Sequence, residues 1–221
     1  LTGGTINVDT LGGGTDLVIN TALNWAGTAT IAGGTTGGLQ NLGTVNQSGA
    51  SRFFTLDQLF VDNQGSWIVD ATVNNPIRLD DGTQFTNNGT FTLNSTAGIS
   101  RPGGAASSFN NAGVFTLNSV GNTPVSALVF NNTTSTLDIQ SGNLQLNGGG
   151  SFSGVITQPG AVVNLNSGTY LISSGTSFAS TNGLLLSGSQ ITNIEAALAL
   201  DTLDLTGGTI NVDTLGGGTD L

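Results

Sequence analysis

Apolar side chains fall at every second position through much of this chain. TINVD (5–9), SWIVDATV (66–73), TFTLNS (90–95), VFTLNS (114–119), STLDIQ (135–140) and NLQLN (143–147) all alternate in this way. Such alternation is the mark of strands with one face turned to a core. A helix needs apolar positions at a period near 3.6, and the best place to look for one is TNIEAALAL (192–200). Thr192 and Glu195 there have capping-box spacing. Yet Ile194, Ala196, Leu198 and Leu200 alternate with period two, so the segment reads as a strand.

A longer period lies above the strands. The phrase apolar-x-N-x-G-x-apolar recurs as LQNLGTV (39–45), VDNQGSW (61–67), FTNNGTF (85–91) and FNNAGVF (109–115). Its asparagines, Asn41, Asn63, Asn87 and Asn111, are spaced by 22, 24 and 24 residues. A shorter phrase, apolar-x-S/G-G-x-apolar-x-apolar, appears as IQSGNLQL (139–146), LNSGTYLI (165–172) and LTGGTINV (205–212 and 1–8), and FNNTTSTLDI (130–139) is a variant joining the two sets. One strand-turn-strand phrase every 20–25 residues predicts an all-β, parallel β-solenoid, a β-helix of about nine or ten coils. A β-sandwich also has short strands at 8–12-residue spacing, but it has no need of one turn phrase returning every coil.

In such a solenoid each coil buries its inward row only against its neighbours. The Asn or Gly of each phrase supplies left-handed or tight backbone at a corner. Asparagines repeated at one corner predict a hydrogen-bonded ladder of amides running from coil to coil. Phe85, Phe109 and Phe130, and separately Phe91 and Phe115, recur at coil spacing, which predicts aromatic ranks inside.

Charge and composition narrow the functions. Only 7% of residues are charged, the net charge is −10, and the cations are three arginines with no lysine. Nucleic acid is a poor partner for such a chain, because phosphate binding rests on many cations displacing counterions, and an anionic membrane surface is disfavoured likewise. The longest apolar stretches, GLLL (183–186) and AALAL (196–200), are too short to cross a bilayer. Cysteine, histidine and methionine are absent, which removes disulfides, Cys/His zinc sites, thiol nucleophiles and histidine bases. A cysteine-free chain suits a large bacterial exoprotein better than a small stapled secreted domain. Low charge and 35 glycines favour disorder, but the 37% of hydrophobic residues alternate rather than scatter.

Residues 1–17 and 205–221 are both LTGGTINVDTLGGGTDL, a separation of 204 residues. The coils are only loosely alike, whereas these segments are identical, as recent duplication leaves them. The expectation is a window on a longer polypeptide carrying tandem units. Residues 1–204 are then one unit and 205–221 the first coil of the next, each seam reading DLTGGTINV. One unit would advance about 45–50 Å at the spacing of stacked strands.

The run QFTNNGTFTL … SFNNAGVFTLNS … VFNNTTSTLDIQSGNLQLNGGGSFSGVITQPGAVVNLNSGTYLI closely resembles the repeats of giant bacterial surface proteins of the filamentous-haemagglutinin-like, adhesin type. The resemblance covers residues 39–212 well and 1–38 less clearly. It implies a parallel β-solenoid, an extracellular or cell-surface location on a bacterium, and a role in surface fibres, adhesion, sheaths or matrix. It brings no catalytic residues with it.

Candidate chemistry is sparse. LGGGTDLVI (11–19) holds half of the calcium-binding nonapeptide, with Asp16 as its carboxylate, but a calcium roll needs consecutive copies. A glycine turn with Asp16 outside is the better reading. IRLDDGTQF (77–85) sets Arg78 beside Asp80 and Asp81, as an acidic cluster with a basic proton acceptor on a polysaccharide lyase would be, yet DDG is also an ordinary turn signal. Trp25, Trp67 and Tyr170 are candidates for a sugar platform or for the core. TATIAGGTT (28–36) does not repeat at coil spacing, which weighs against an ice-binding threonine array, and without lysine there are no Lys–Asn isopeptide links.

The function expected is a non-catalytic structural segment of a long extracellular fibre, sheath or surface stalk, with copies of itself as partners end to end and side by side and no cofactor. The alternative is an adhesin or carbohydrate-binding solenoid that meets glycans or cell surfaces through loops. Its loops would be SGASRFFTLDQ (48–58), SRPGGAASS (100–108) and NGGGSFSGVITQPGA (147–161), which hold Arg52 and Arg101 as possible contacts.

Overall fold

In the computed structural model every strand pairing is parallel, and each strand lies beside one about a coil away in sequence. The structure describes residues 1–8, 16–34, 36–50, 52–159, 161–179, 183–195 and 197–212. Among these there are twenty-six strands and no helix, wound as a β-solenoid of about nine turns.

The chain winds over three faces, and most coils set a strand segment on each. The asparagine face is a ten-stranded sheet that runs from Leu17–Ile19 through Gly38–Asn41, Phe60–Asn63, Gln84–Asn87, Ser108–Asn111 and Val129–Asn132 to Thr209–Val212. The second face starts at Ala22–Trp25 and includes Thr44–Gln47, Ser66–Val69 and Thr90–Leu93. The third starts at Gly4–Asn7 and includes Ala29–Ala32, Phe54–Asp57 and Ile77–Asp80. Two long strands, Val114–Ser126 and Thr136–Asn147, run round the corner between these faces and join them into one sixteen-stranded sheet.

The alternation of the sequence becomes columns of inward residues. On the third face one column reads Ile77, Ile99, Val125, Leu146, Leu165, Leu186, all buried, and ends at the exposed Leu205. No coil encloses a core alone, so burial is a property of the stack.

Two kinds of corner appear, and they separate the two sequence phrases. In the short phrase Gly4, Gly142, Gly168 and Gly208 have φ of +89°, +73°, +104° and +81°, the left-handed backbone that glycine enters without a Cβ penalty. The asparagine phrase works differently: neither its asparagines nor Gly43, Gly65, Gly89 and Gly113 have positive φ. A Cβ on Gly65, Gly89 or Gly113 would instead lie closer than 3.0 Å to the carbonyl oxygen of the glycine one coil below. Glycine is required there because backbones stack on backbones.

Three segments differ from expectation. SGASRFFTLDQ (48–58) is not a loop throughout: among its described residues Phe54–Asp57 is a strand with Phe54 and Leu56 in the core. TNIEAALAL (192–200) supplies only the last three residues of the strand Ile191–Ile194, with neither strand nor helix among its described residues beyond. The described residues of 147–161 do not form a projecting loop: Gly150–Phe152 and Val155–Thr157 are strands with Phe152 and Ile156 in the core. Glycine and proline density hid the alternation there.

Candidate functional site

The corner asparagines stand in register, one above another, fully buried. Asn41 donates through Nδ2 to Oδ1 of Asn63 at 2.6 Å, Asn63 to Asn87 at 2.6 Å, Asn87 to Asn111 at 2.7 Å and Asn111 to Asn132 at 2.7 Å. The second proton of each amide goes to a main-chain carbonyl: Ser66, Thr90, Val114 and Thr136 accept at 2.9–3.0 Å. Each rung therefore ties to the next coil twice, in a setting where an unmade bond is costly.

Asn132 is a rung that sequence reasoning left off. Its phrase, FNNTTSTLDI, has one residue more before the next inward position, and Thr134 absorbs it at φ +53°. Ser135 Oγ then lies 2.8 Å from both the Asn111 carbonyl oxygen and Asn132 Oδ1, and its single proton serves one or the other. The ladder ends there, since the next rung is Phe152, followed by Ile172 and Ile194, and Asn132 Nδ2 is buried without a partner.

Beside the ladder run two aromatic ranks. Phe85, Phe109 and Phe130 stack on the asparagine face with centroids 4.8 and 5.5 Å apart and planes within 7°. Phe91 and Phe115 stack on the second face at 5.3 Å, with Trp67 continuing the rank at 6.5 Å. Across the interior the ranks meet edge to face at 5.0–5.6 Å, the pairing the ring quadrupole favours. Gln47, buried beneath Trp67, accepts from its indole Nε1 at 3.1 Å, a pairing no short-range signal announced.

The sugar-platform candidates lie inside. Trp25, Trp67 and Tyr170 are fully buried, and burial pushes the Tyr170 phenol up to about 12 while its hydroxyl donates to the Ser167 carbonyl. The exposed aromatic is Phe60, 48% accessible.

The outer faces carry ladders of uncharged amides and hydroxyls. Asn46 donates to Asn24, Asn131 to Asn110, Asn166 to Asn147, and Asn211 to Asn193. Asp16 is exposed, and its carboxylate accepts the Gly38 amide at 3.0 Å on the next coil. Arg52 is exposed beside Gly49. Arg101 is turned onto its own chain, donating to the Ala127 carbonyl at 2.6 Å and that of Gly104 at 2.7 Å, so it pins the exposed loop 102–106. Among the described residues no three His, Cys, Asp or Glu side chains group to hold a metal.

Asp57 and Asp80 stack in register on the third face, with Asp81 and Arg78 beside them, around an open depression of about 500 Å³. Arg78 lies 3.8 Å over the Phe53 ring. Burial, then the charge of Asp81, raises the Asp57 carboxyl; burial, then Asp57, raises Asp80 against the pull of Arg78. The native state therefore holds these protons more tightly than the unfolded chain, and stability lost at neutral pH returns as pH falls through the raised values toward 3.8. Asp57→Asn removes one carboxylate and relieves the other. Its urea midpoint should exceed that of the parent at pH 7, and the gap should close in acid. A gap that widens in acid contradicts this account.

Comparisons with protein-family models, curated proteins and solved structures return no match for the chain. The chain is thus known by its architecture, a parallel β-solenoid of the kind that repeat proteins build.

Proposed function

We propose that this chain is a non-catalytic structural segment of a long extracellular fibre, sheath or surface stalk, made of tandem 204-residue solenoid units on a bacterial surface. The observation that carries the reading is the union of two repeats. The ladder and ranks bind coil to coil along one axis, and the 17-residue identity restarts the same text after 204 residues. Strand edges that end a stack invite further strands, and a following unit presents strands of matching register. The likeness to filamentous-haemagglutinin-like repeats agrees with this role.

The outer faces suit bundling. Their ladders of uncharged amides and hydroxyls can meet a neighbouring fibre, while the net charge of −10 opposes that contact, so bundling should strengthen as salt screens the charge. The glycan-binding alternative draws less support, because its three aromatic candidates are core residues and Arg101 is spent on its own backbone.

Electron microscopy of several joined units tests the proposal. The expected result is rods lengthening by about 45 Å per unit, which associate side by side as concentration rises. Compact particles whose length does not grow with unit number would sink it.

A further inference from the structure

The octapeptide LTGGTINV occurs at 1–8 and 205–212, and its two copies fold alike. Gly4 and Gly208 turn left-handed at +89° and +81°, and Ile6 and Ile210 follow as inward, half-buried residues. They stand on different faces, however. Gly4–Asn7 pairs with Ala29–Ala32 on the third face, whereas Thr209–Val212 pairs with Ile191–Ile194 on the asparagine face. Leu203–Leu205, whose last residue opens the second copy, is the strand that occupies the third face.

The same phrase is at home at both corners elsewhere. In IQSGNLQL, Gly142 turns the chain from the second face to the third within Thr136–Asn147. In LNSGTYLI, Gly168 turns it from the third face, after Val162–Leu165, to the asparagine face at Thr169–Ile172. A left-handed glycine followed by an alternating strand is complete in itself, so it can serve at either corner.

From these placements we infer that each 204-residue unit winds through nine turns and one further face, so that successive units are rotated by about a third of a turn. The inference rests on the tandem-array reading. Nine stacking steps climb the third face from Gly4–Asn7 to Leu203–Leu205, and one more face leads to Thr209–Val212. A unit that begins on the second octapeptide has its asparagine ladder on a different face from its predecessor. Three units, about 135 Å of axis at about 4.8 Å per coil, bring every side chain back to the same side. The edges of Leu203–Leu205 and Thr209–Val212, which end the stack among the described residues, thus receive the next unit turned by one face. Features such as Phe60 and the loop 102–106 are then dealt round all three sides of the fibre, and lateral contacts follow in three directions rather than one.

The chain lacks cysteine, so paired cysteines report the register directly. Adjacent strands bring registered Cα atoms within the range a disulfide spans, 4.4–6.8 Å. In the 221-residue chain, T5C/T30C and N193C/N211C, each an outward registered pair, should both lose their free thiols under mild oxidation. If a unit were a whole number of turns, the second octapeptide would lie over Leu184–Leu186, and L185C would link to N211C or T209C. Formation of the 5–30 and 193–211 links supports the rotation; absence of either, or a link from 185, overturns it. Circular dichroism of each reduced variant shows that the strands are kept. These links form within one chain whether or not fibres do. Failure of the array reading appears separately, as joined units that stay compact while both links persist.

Discussion

Asn87→Asp should cost about 3–5 kcal/mol at neutral pH, as removal of one partner from a buried charged or networked pair does, and should recover part of that in acid. Asn87 accepts from Asn63 through Oδ1 and donates through Nδ2 to Asn111 Oδ1 and the Val114 carbonyl. Aspartate keeps the acceptor and replaces the donor by a second oxygen, which then faces two oxygens in a site closed to water. Burial raises the carboxyl in the folded state above its ordinary value of about 3.9, so the folded chain binds the proton more tightly than the unfolded one. Stability therefore climbs as pH falls through the raised native value, because the protonated group can again donate one hydrogen bond. Asn87→Ala should be destabilised without this slope, since it leaves orphaned partners but no charge. Urea unfolding of both variants at pH 7 and pH 4.5 separates the two. Equal, pH-independent losses would mean that the ladder's donors do not matter.

The ladder and ranks were legible because they repeat. One buried asparagine carries no message, but Asn41, Asn63, Asn87 and Asn111 at coil spacing, each followed two residues later by glycine, define a corner. Alternation likewise told inside from outside. It could not tell which face a strand joins, because a period of two is the same on all three faces. That is why the three-faced cross-section, the long strands that round a corner and the displaced second octapeptide emerged only from the pairing. The two roles of glycine were equally hidden: Gly89 and Gly168 read alike in sequence, yet one permits close backbone stacking and the other a left-handed turn. Asn132 and Gln47 depended on partners about twenty residues away, beyond any local pattern. The candidate loops divided by their neighbours: 102–106 is exposed, while 147–161 supplies Phe152 and Ile156 to the core.

Phe109→Ala should remove about 3–5 kcal/mol, the usual cost of emptying a buried aromatic site, and should also change how the molecule unfolds. The ring stacks on Phe85 and Phe130 and takes edge contacts with Phe91 and Phe115, so it couples the coils below it to those above. Its neighbours are held in register by strand pairing on every face and cannot collapse into the hole without breaking that pairing, which places the cost toward the upper end of the range. Phe60→Ala is the control: the same side chain deleted from the outer surface, where losses stay within about 0.5 kcal/mol. In a solenoid, stability is a sum of coil and interface terms along one axis. A cavity at Phe109 weakens one interface in the middle of the stack and lets the halves on either side unfold separately. Hydrogen exchange should then show amides near Phe109 opening at lower free energy than those of Phe54–Asp57 or Val162–Leu165. In a fibre this site would be where tension first parts the coils, and pulling on joined units should lower the rupture force for Phe109→Ala but not for Phe60→Ala. Should the two variants match in urea midpoint and in exchange, the aromatic ranks would not be what carries cohesion from coil to coil, and the amide ladder and strand pairing would have to bear it alone.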